Sequence, residues 1–191
     1  MDFTFSPEAP WKLEDLDART LEEPPPVDFD CGADDQNQFL QERAWRDHQK
    51  GISATHMMYV NGIPAAYVTL MADRIKLSPK EKLKGISYEL VPAVKIAQLA
   101  VARRFSGHGL GKFMVGYAVA SARAMRAAPG VGCRYLTLDS QPHLVGWYER
   151  MGFKRNIEEQ KIRQQLAIER NRALEELAVS MRFDLRDLHD E

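Results

Sequence analysis

The 191-residue sequence predicts an α/β fold of the mixed α+β kind, a central sheet flanked by helices. Three observations predict it. Apolar and β-branched runs at 55–60 (THMMYV) and 63–71 (IPAAYVTLM) meet at Asn61-Gly62, a dipeptide suited to the left-handed conformations of a tight hairpin. A mostly apolar run at 93–101 (AVKIAQLAV) leads through three alternating glycines into a helical pattern at 110–127. The order β-β-loop-β-α-β-α-β, behind one leading helix, mixes hairpins with longer connections and therefore makes a mixed sheet. Hydrophobic residues at 45% and charged residues at 28% exclude disorder of the whole chain.

Taken in order, residues 1–28 read as an acidic extension that ends in Glu22-Glu23-Pro24-Pro25-Pro26, a stretch stiffened toward polyproline II. Trp11, Leu13 and Leu16 are its candidates for pinning to a core. Residues 29–191 then read as a single domain. Its first element is a helix over 33–50, with Asp34 and Asp35 in the first turn and Phe39, Leu40 and Ala44 on an apolar face. The hairpin strands follow, and a polar, Lys-rich connection over 76–91 has room for a short helix. The strand at 93–101 is apolar on both faces and therefore central. The helix at 110–127 gathers Leu110, Phe113, Met114, Tyr117, Ala118 and Ser121 on one side. A strand at 134–139 (RYLTLD), a short helix at 142–151 and a short strand from Phe153 come next. Residues 157–178 contain no Gly or Pro and are rich in helix formers, so they predict an extra helix before a last strand at 179–185.

Charge is uneven along the chain. The net −1 combines residues 1–28 at −6, residues 157–191 at −3 and a middle, 29–156, at +8. A basic middle between acidic ends fits either a polyanionic ligand or an unevenly charged solvated surface. The start of the chain carries no apolar core of a signal peptide, and no run reaches the ~18–20 apolar residues of a membrane span. Cys31 and Cys133 lack disulfide-framework or metal spacing. A cytoplasmic protein with reduced thiols, no membrane association and no metal is expected.

The chemistry concentrates in Ala100-Val101-Ala102-Arg103-Arg104-Phe105-Ser106-Gly107-His108-Gly109-Leu110-Gly111-Lys112. A strand ends, glycines allow close backbone approach, and a helix begins with unpaired N–H groups at the positive end of its dipole. The combination is an anion cradle suited to a pyrophosphate, although a plain helix-initiating turn has the same composition. It is not a P-loop, since GxxxxGK[ST] is absent, and the GxGxG spacing is not a dinucleotide fingerprint.

With its context, this segment resembles the GNAT superfamily of acetyl-CoA-dependent N-acetyltransferases. The resemblance rests on the loop from Leu99 to Lys112 and on Trp147-Tyr148-Glu149-Arg150-Met151-Gly152-Phe153. Gly109 and Gly111 fill the glycine positions of the family's loop pattern, with Ser106 where Gln or Arg is usual. In a shifted frame Arg104, Gly107 and Gly109 also satisfy it. Phe29, Cys31, Gly32, Phe39, Leu40, Ala44, Gly51, Ser53 and Thr55 are similar to a subgroup that includes toxins of toxin–antitoxin pairs acting on aminoacyl-tRNA. Gln98 and Ala102 depart from that subgroup, where Arg and Asp are frequent, and the helix at 157–178 looks inserted.

The resemblance implies a mostly antiparallel GNAT-like sheet and acetyl-CoA as cosubstrate. Its pantetheine is expected along Leu99, Ala100 and Val101, and its pyrophosphate on the amides of Ser106, Gly107, His108, Gly109, Leu110, Gly111 and Lys112. Tyr148 is the implied general acid, a phenol near ~10 serving a thiolate of ~8–9. The strand 93–101 carries no carboxylate, so deprotonation of the amine falls to a water, to Glu89, or to no group at all. His108 is expected to face solvent. His56, His143 and Asp139 are as readily structural as functional. The acceptor is an amine of a small molecule, a peptide or an aminoacyl-tRNA. A homodimer and an antitoxin-like partner belong to the same analogy, and a non-catalytic acyl-CoA-binding module is the alternative.

Overall fold

The computed structural model describes all residues except 1, 2, 5, 26, 27, 80, 82–88, 128, 129, 172, 175, 176 and 187–191. The strands are β1 Leu16–Thr20, β2 Ala54–Val60, β3 Ile63–Lys76, β4 Leu90–Val101, β5 Tyr135–Ser140, β6 Lys154–Arg155 and β7 Val179–Asp184. Among the described residues they form one mixed, mostly antiparallel sheet in the order β1-β2-β3-β4-β5-β7-β6. The helices are α1 Asp34–Gln38, α2 Trp45–Gln49, α3 Leu110–Ala127, α4 Val145–Arg150 and α5 Ile157–Glu169. A π-helical segment, Phe39–Ala44, joins α1 to α2, so the expected helix over 33–50 is one run with a widened middle turn. Half of the connection expected to hold a short helix, 76–91, lies outside the described residues.

Two compact units divide the chain, Asp2–Met71 with Ile96–Ala120 and Ala72–Lys95 with Ser121–Glu191. In the first, β2 and β3 make the hairpin the sequence predicts. Asn61 (φ 50°) and Gly62 (φ 77°) both adopt positive φ, the demand of a type I′ turn. A bulge between Met58 and Tyr59 shifts the register. The first unit also contains β1, which lies inside the stretch read as an extension: Leu16 pairs with Val60 and Thr20 with His56. Of the three expected pinning residues, Trp11 is buried, Leu16 is half-buried and Leu13 is exposed. Tyr67 is fully buried, with Phe29 edge-on at 5.4 Å and Phe39 stacked at 6.3 Å. Its hydroxyl donates to the Gln36 carbonyl at 2.9 Å, and burial pushes its pKa well above the usual phenol value.

On this unit's sheet His56 joins three elements. Its Nδ1 lies 3.2 Å from both Thr20 Oγ1 of β1 and the Tyr117 hydroxyl of α3. Burial, with the charge of His48 as a smaller contribution, lowers the His56 pKa from its usual value. A depressed folded-state pKa means that the unfolded chain binds more protons as the pH falls below about 6.5. Thermal stability is therefore expected to drop from pH 7 toward pH 5, and His56→Gln should flatten that slope. Melting curves across this range test it; an unchanged slope in the variant would assign the loss to another group.

In the second unit β5 and β7 pair antiparallel from Tyr135 opposite Asp184 to Ser140 opposite Val179. Leu136, Met181, Phe183 and Phe153 are buried within it. Arg182 of β7 is nearly buried, pairs with Glu81 and donates from Nη1 to the Arg155 carbonyl at 3.2 Å. Arg134 pairs with Asp184, and the guanidiniums of Arg134 and Arg182 lie 5.6 and 5.7 Å from the centre of the Tyr135 ring. The extra helix is real but ends at Glu169, nine residues short of expectation, and Asn171 (φ 51°) takes the left-handed conformation that stops it.

Candidate active site

The glycine segment is built from β4 outward. β4 stops at Val101, and the Ala102 amide donates to the Ala65 carbonyl of β3 at 2.8 Å, fixing where the chain leaves the sheet. Arg103–Phe105 form one 3-10 turn. Gly107 and Gly109 then both sit at φ 84°, a region that costs a side-chain-bearing residue about 1–3 kcal/mol. Helix α3 starts at Leu110, and its first closed bond runs from the Phe113 amide to the Gly109 carbonyl at 3.0 Å. The amides of Gly109, Leu110 and Gly111 thus lie ahead of the first helical bond, at the positive end of an 18-residue helix. Among the described residues, chain neighbours aside, no heavy atom stands within 4 Å of where a Cβ on Gly107 would project. These features suit a phosphate-bearing group.

Three expected contributors have prior engagements. The Ser106 amide donates to the Arg103 carbonyl at 3.2 Å, and its hydroxyl donates to the same oxygen at 2.8 Å, because the 3-10 turn closes there. The Leu99 carbonyl accepts from Gln36 Nε2 at 3.3 Å, so α1 reaches one of the three β4 residues expected along a pantetheine. Ala100 is buried and Val101 half-buried. His108 does not simply face solvent: it is half-buried, its carbonyl accepts from the Ser6 amide at 2.8 Å, and its ring stands edge-on to Trp11 at 5.3 Å. Lys112 is half-buried on the first turn of α3.

The segment is also braced from the N-terminal side. The Arg103 amide donates to the Asp30 carbonyl at 2.9 Å. Asp30 Oδ1 accepts from the Gly32 amide at 2.8 Å and from Asn37 Nδ2 at 3.0 Å. Its carboxyl lies below the usual carboxylate range, chiefly through the Gly32 amide and then through Asn37. Gly32 takes a φ of 82°, a region that favours glycine, and the exposed Arg103 guanidinium lies over it, 2.4 Å from where a Cβ would project. Arg103 and Arg104 are exposed and pair loosely with Asp30 (3.6 Å) and Asp28 (3.8 Å).

In the second unit, Tyr148 of α4 is buried, with Trp147 edge-on at 4.7 Å and Phe153 edge-on at 5.6 Å. Burial pushes its phenol up to about 12. Asp139 is the middle of an ion cluster, with Lys95 Nζ of β4 at 2.8 Å and Arg163 Nη2 of α5 at 2.7 Å. The buried Thr137 hydroxyl donates to Asp73 at 2.6 Å. Glu89 is exposed and pairs with Lys76 at 3.3 Å, and His143 is exposed. Among the described residues there is no group of three or more His, Cys, Asp or Glu placed to hold a metal ion, and no helix is long and apolar enough to cross a membrane.

Sequence reasoning missed Gln36, Asn37, Asp30, Trp11 and Ser6 as neighbours of the loop. Gln36 and Leu99 are 63 positions apart, and no spacing rule links them.

The profile of the acetyltransferase (GNAT) family matches residues 13–153. Solved structures of the same architecture include AtaT complexed with acetyl-methionyl-tRNAfMet, at 25% identity, covering 73% of this chain and 87% of that one with a TM-score of 0.66. They also include AtaTR bound with AcCoA, at 20% identity, covering 92% and 96% with a TM-score of 0.67. A mutant of KacT is similar at 20% identity, 91% and 96% coverage and a TM-score of 0.69.

Proposed function

Since the chain belongs to the GNAT acetyltransferase family, we propose that it transfers acetyl from acetyl-CoA to a primary amine by direct attack of the amine on the thioester. The observation that carries this reading is the passage from β4 through Gly107 and Gly109 to the first turn of α3. Acetyl-CoA, when bound, supplies an activated acyl carbon and a thiol leaving group. The amides of Gly107, His108, Gly109, Leu110 and Gly111 are the proposed diphosphate ligands, with Lys112 adding charge. The backbone of Leu99, Ala100 and Val101 is the proposed rail for an amide-bearing arm.

Tyr148 is the proposed proton donor. A phenol at about 12 keeps its proton throughout the physiological range, and so it is in the donating state at every turnover. The proton lost by the attacking nitrogen balances the one taken by the sulfur, and Tyr148 ends as it began. Neither Asp139 nor Glu89 is a free base: each is held by cations, Asp139 by Lys95 and Arg163 and Glu89 by Lys76. That favours an acceptor whose amine is already largely deprotonated near neutrality. An α-amine of ~7.7–8.0 meets this better than a lysine amine of ~10.4.

A second reading names the acceptor as aminoacyl-tRNA, which carries such an α-amine on a polyanion. The +8 charge over 29–156 favours it, and the AtaT structure named above contains an acetylated aminoacyl-tRNA. In that reading the chain is a toxin with an antitoxin-like partner.

Release of free thiol from acetyl-CoA, measured with charged tRNA, a peptide mixture and small amines including polyamines, tests both readings. Turnover with charged tRNA alone is the result the second reading expects. Turnover only with peptides or small amines removes it and keeps the first. CoA binding without turnover in any pool overturns the enzymatic reading in favour of an acyl-CoA-binding module.

A further inference from the structure

Phe3, Ser6 and Trp11 precede the part of the chain that the family profile matches, yet they bear on the glycine segment and on the helix that follows it. The Ser6 amide donates to the carbonyl of His108, the residue between the two positive-φ glycines, at 2.8 Å. Trp11 is 4% exposed and stands edge-on to the His108 ring at 5.3 Å and to the Phe105 ring at 5.4 Å. Phe3 presses on α3 where the helix has no side chain: a Cβ on Gly116 would fall 2.5 Å from the Phe3 Cβ. The segment therefore grips the loop at its start and its centre, and the helix behind it.

A loop with glycines at 107, 109 and 111 has more backbone freedom to lose than any other composition. Ordering it upon ligand binding would draw on the binding energy; a loop already ordered keeps that energy for affinity. We propose that Trp11, with Ser6, is a positioning residue that preorganises the amides of Gly107 to Gly111 for the diphosphate of CoA. The inference rests on the cofactor reading above. The contribution of Trp11 comes from its ring and not from a hydrogen bond, because its indole Nε1–H is buried without an acceptor among the described residues. Phenylalanine at position 11 should therefore keep most of the effect, and alanine should lose it.

Calorimetric titration of the full-length protein with CoA, together with amide hydrogen exchange without ligand, tests this. Trp11→Ala is expected to weaken CoA about tenfold, the scale of one lost ordering contribution, and to speed exchange at 107–111 while leaving β5 and β7 protected. Trp11→Phe should restore both. Should Trp11→Ala fail to fold, Ser6→Pro removes the N–H that donates to the His108 carbonyl and should show the same paired change more weakly. Unchanged affinity and exchange in the variants, with wild type binding CoA, would overturn the role of this segment alone. Equal loss of protection across the whole fold would overturn it too, as the mark of a general packing defect. A wild type that does not bind CoA overturns the cofactor reading, and this inference with it.

Discussion

Tyr148→Phe is expected to lower acetyl turnover roughly 10²–10⁴-fold, the span of a lost acid–base contribution, while CoA affinity and the fold persist. The ring of Tyr148 packs edge-on against Trp147 and Phe153, and phenylalanine keeps both contacts. Only the hydroxyl is removed. Single-turnover rates and CoA titration of the same preparation separate the two quantities. Loss of CoA binding in step with rate would show a packing role, and an unchanged rate would sink the assignment of Tyr148 as acid. The pH dependence adds a second check. With the phenol pushed up to about 12 by burial, its ionisation is not expected to lower the rate below pH 10. The wild-type rate should instead climb through the pKa of the acceptor amine and level off. A fall near pH 8–9 would mean either that the donor is another group or that a ligand brings the phenol far down.

Glu81→Gln is expected to give the largest loss of stability. Burial alone would raise the Glu81 pKa, but the Ser78 hydroxyl, the Arg182 guanidinium and the Ser78 amide together outweigh burial and lower it. Ser78 donates from its hydroxyl at 2.6 Å and from its amide at 3.1 Å. Removing the carboxylate leaves Arg182, on β7 between β5 and β6, charged and nearly buried with no counter-ion at this site. Breaking a buried pair from one side costs about 3–5 kcal/mol, which lowers the melting temperature by roughly 10 °C in a chain of this size. Glu81→Gln with Arg182→Met should recover much of that loss, since the second substitution removes the buried charge that the first leaves uncompensated. The single variant melting within a degree or two of wild type would mean that water solvates Arg182 well. The same pair gives a pH signature: its stabilisation is present above the unfolded carboxyl pKa of about 4.3 and is lost as pH falls through the lower folded value.

CoA binding preorganised by Trp11 and a thermal slope set by His56 concern a different part of the chain from Tyr148 and Glu81. Trp11, Ser6 and His56 lie in the unit that carries the glycine segment, and Tyr148, Glu81 and Arg182 lie in the other. Their variants share no direct partners, so their effects on stability should be close to additive.

The elements that the sequence by itself determined are those whose information is local. Periodicity and length place α3 at 110–127, as observed. Asn61-Gly62 sets a hairpin because few other pairs tolerate two positive φ values. Strand, glycines and helix in succession mark the loop, because the amides of a helix start need no distant partner to be unpaired. Tertiary structure decided the rest. β1 reads LDART, too polar to announce a strand, and is one only because β2 offers an edge to pair with. The end of α5 lies at Glu169, because Asn171 turns left-handed where composition would have allowed helix as far as 178. The Ser106 amide, expected among the donors to a phosphate, closes a 3-10 turn onto the Arg103 carbonyl. The neighbours of the loop, Gln36, Asp30, Ser6 and Trp11, come from 63 to 102 positions away. Contacts of that separation follow from how surfaces complement one another after the chain has folded, and no local pattern encodes them.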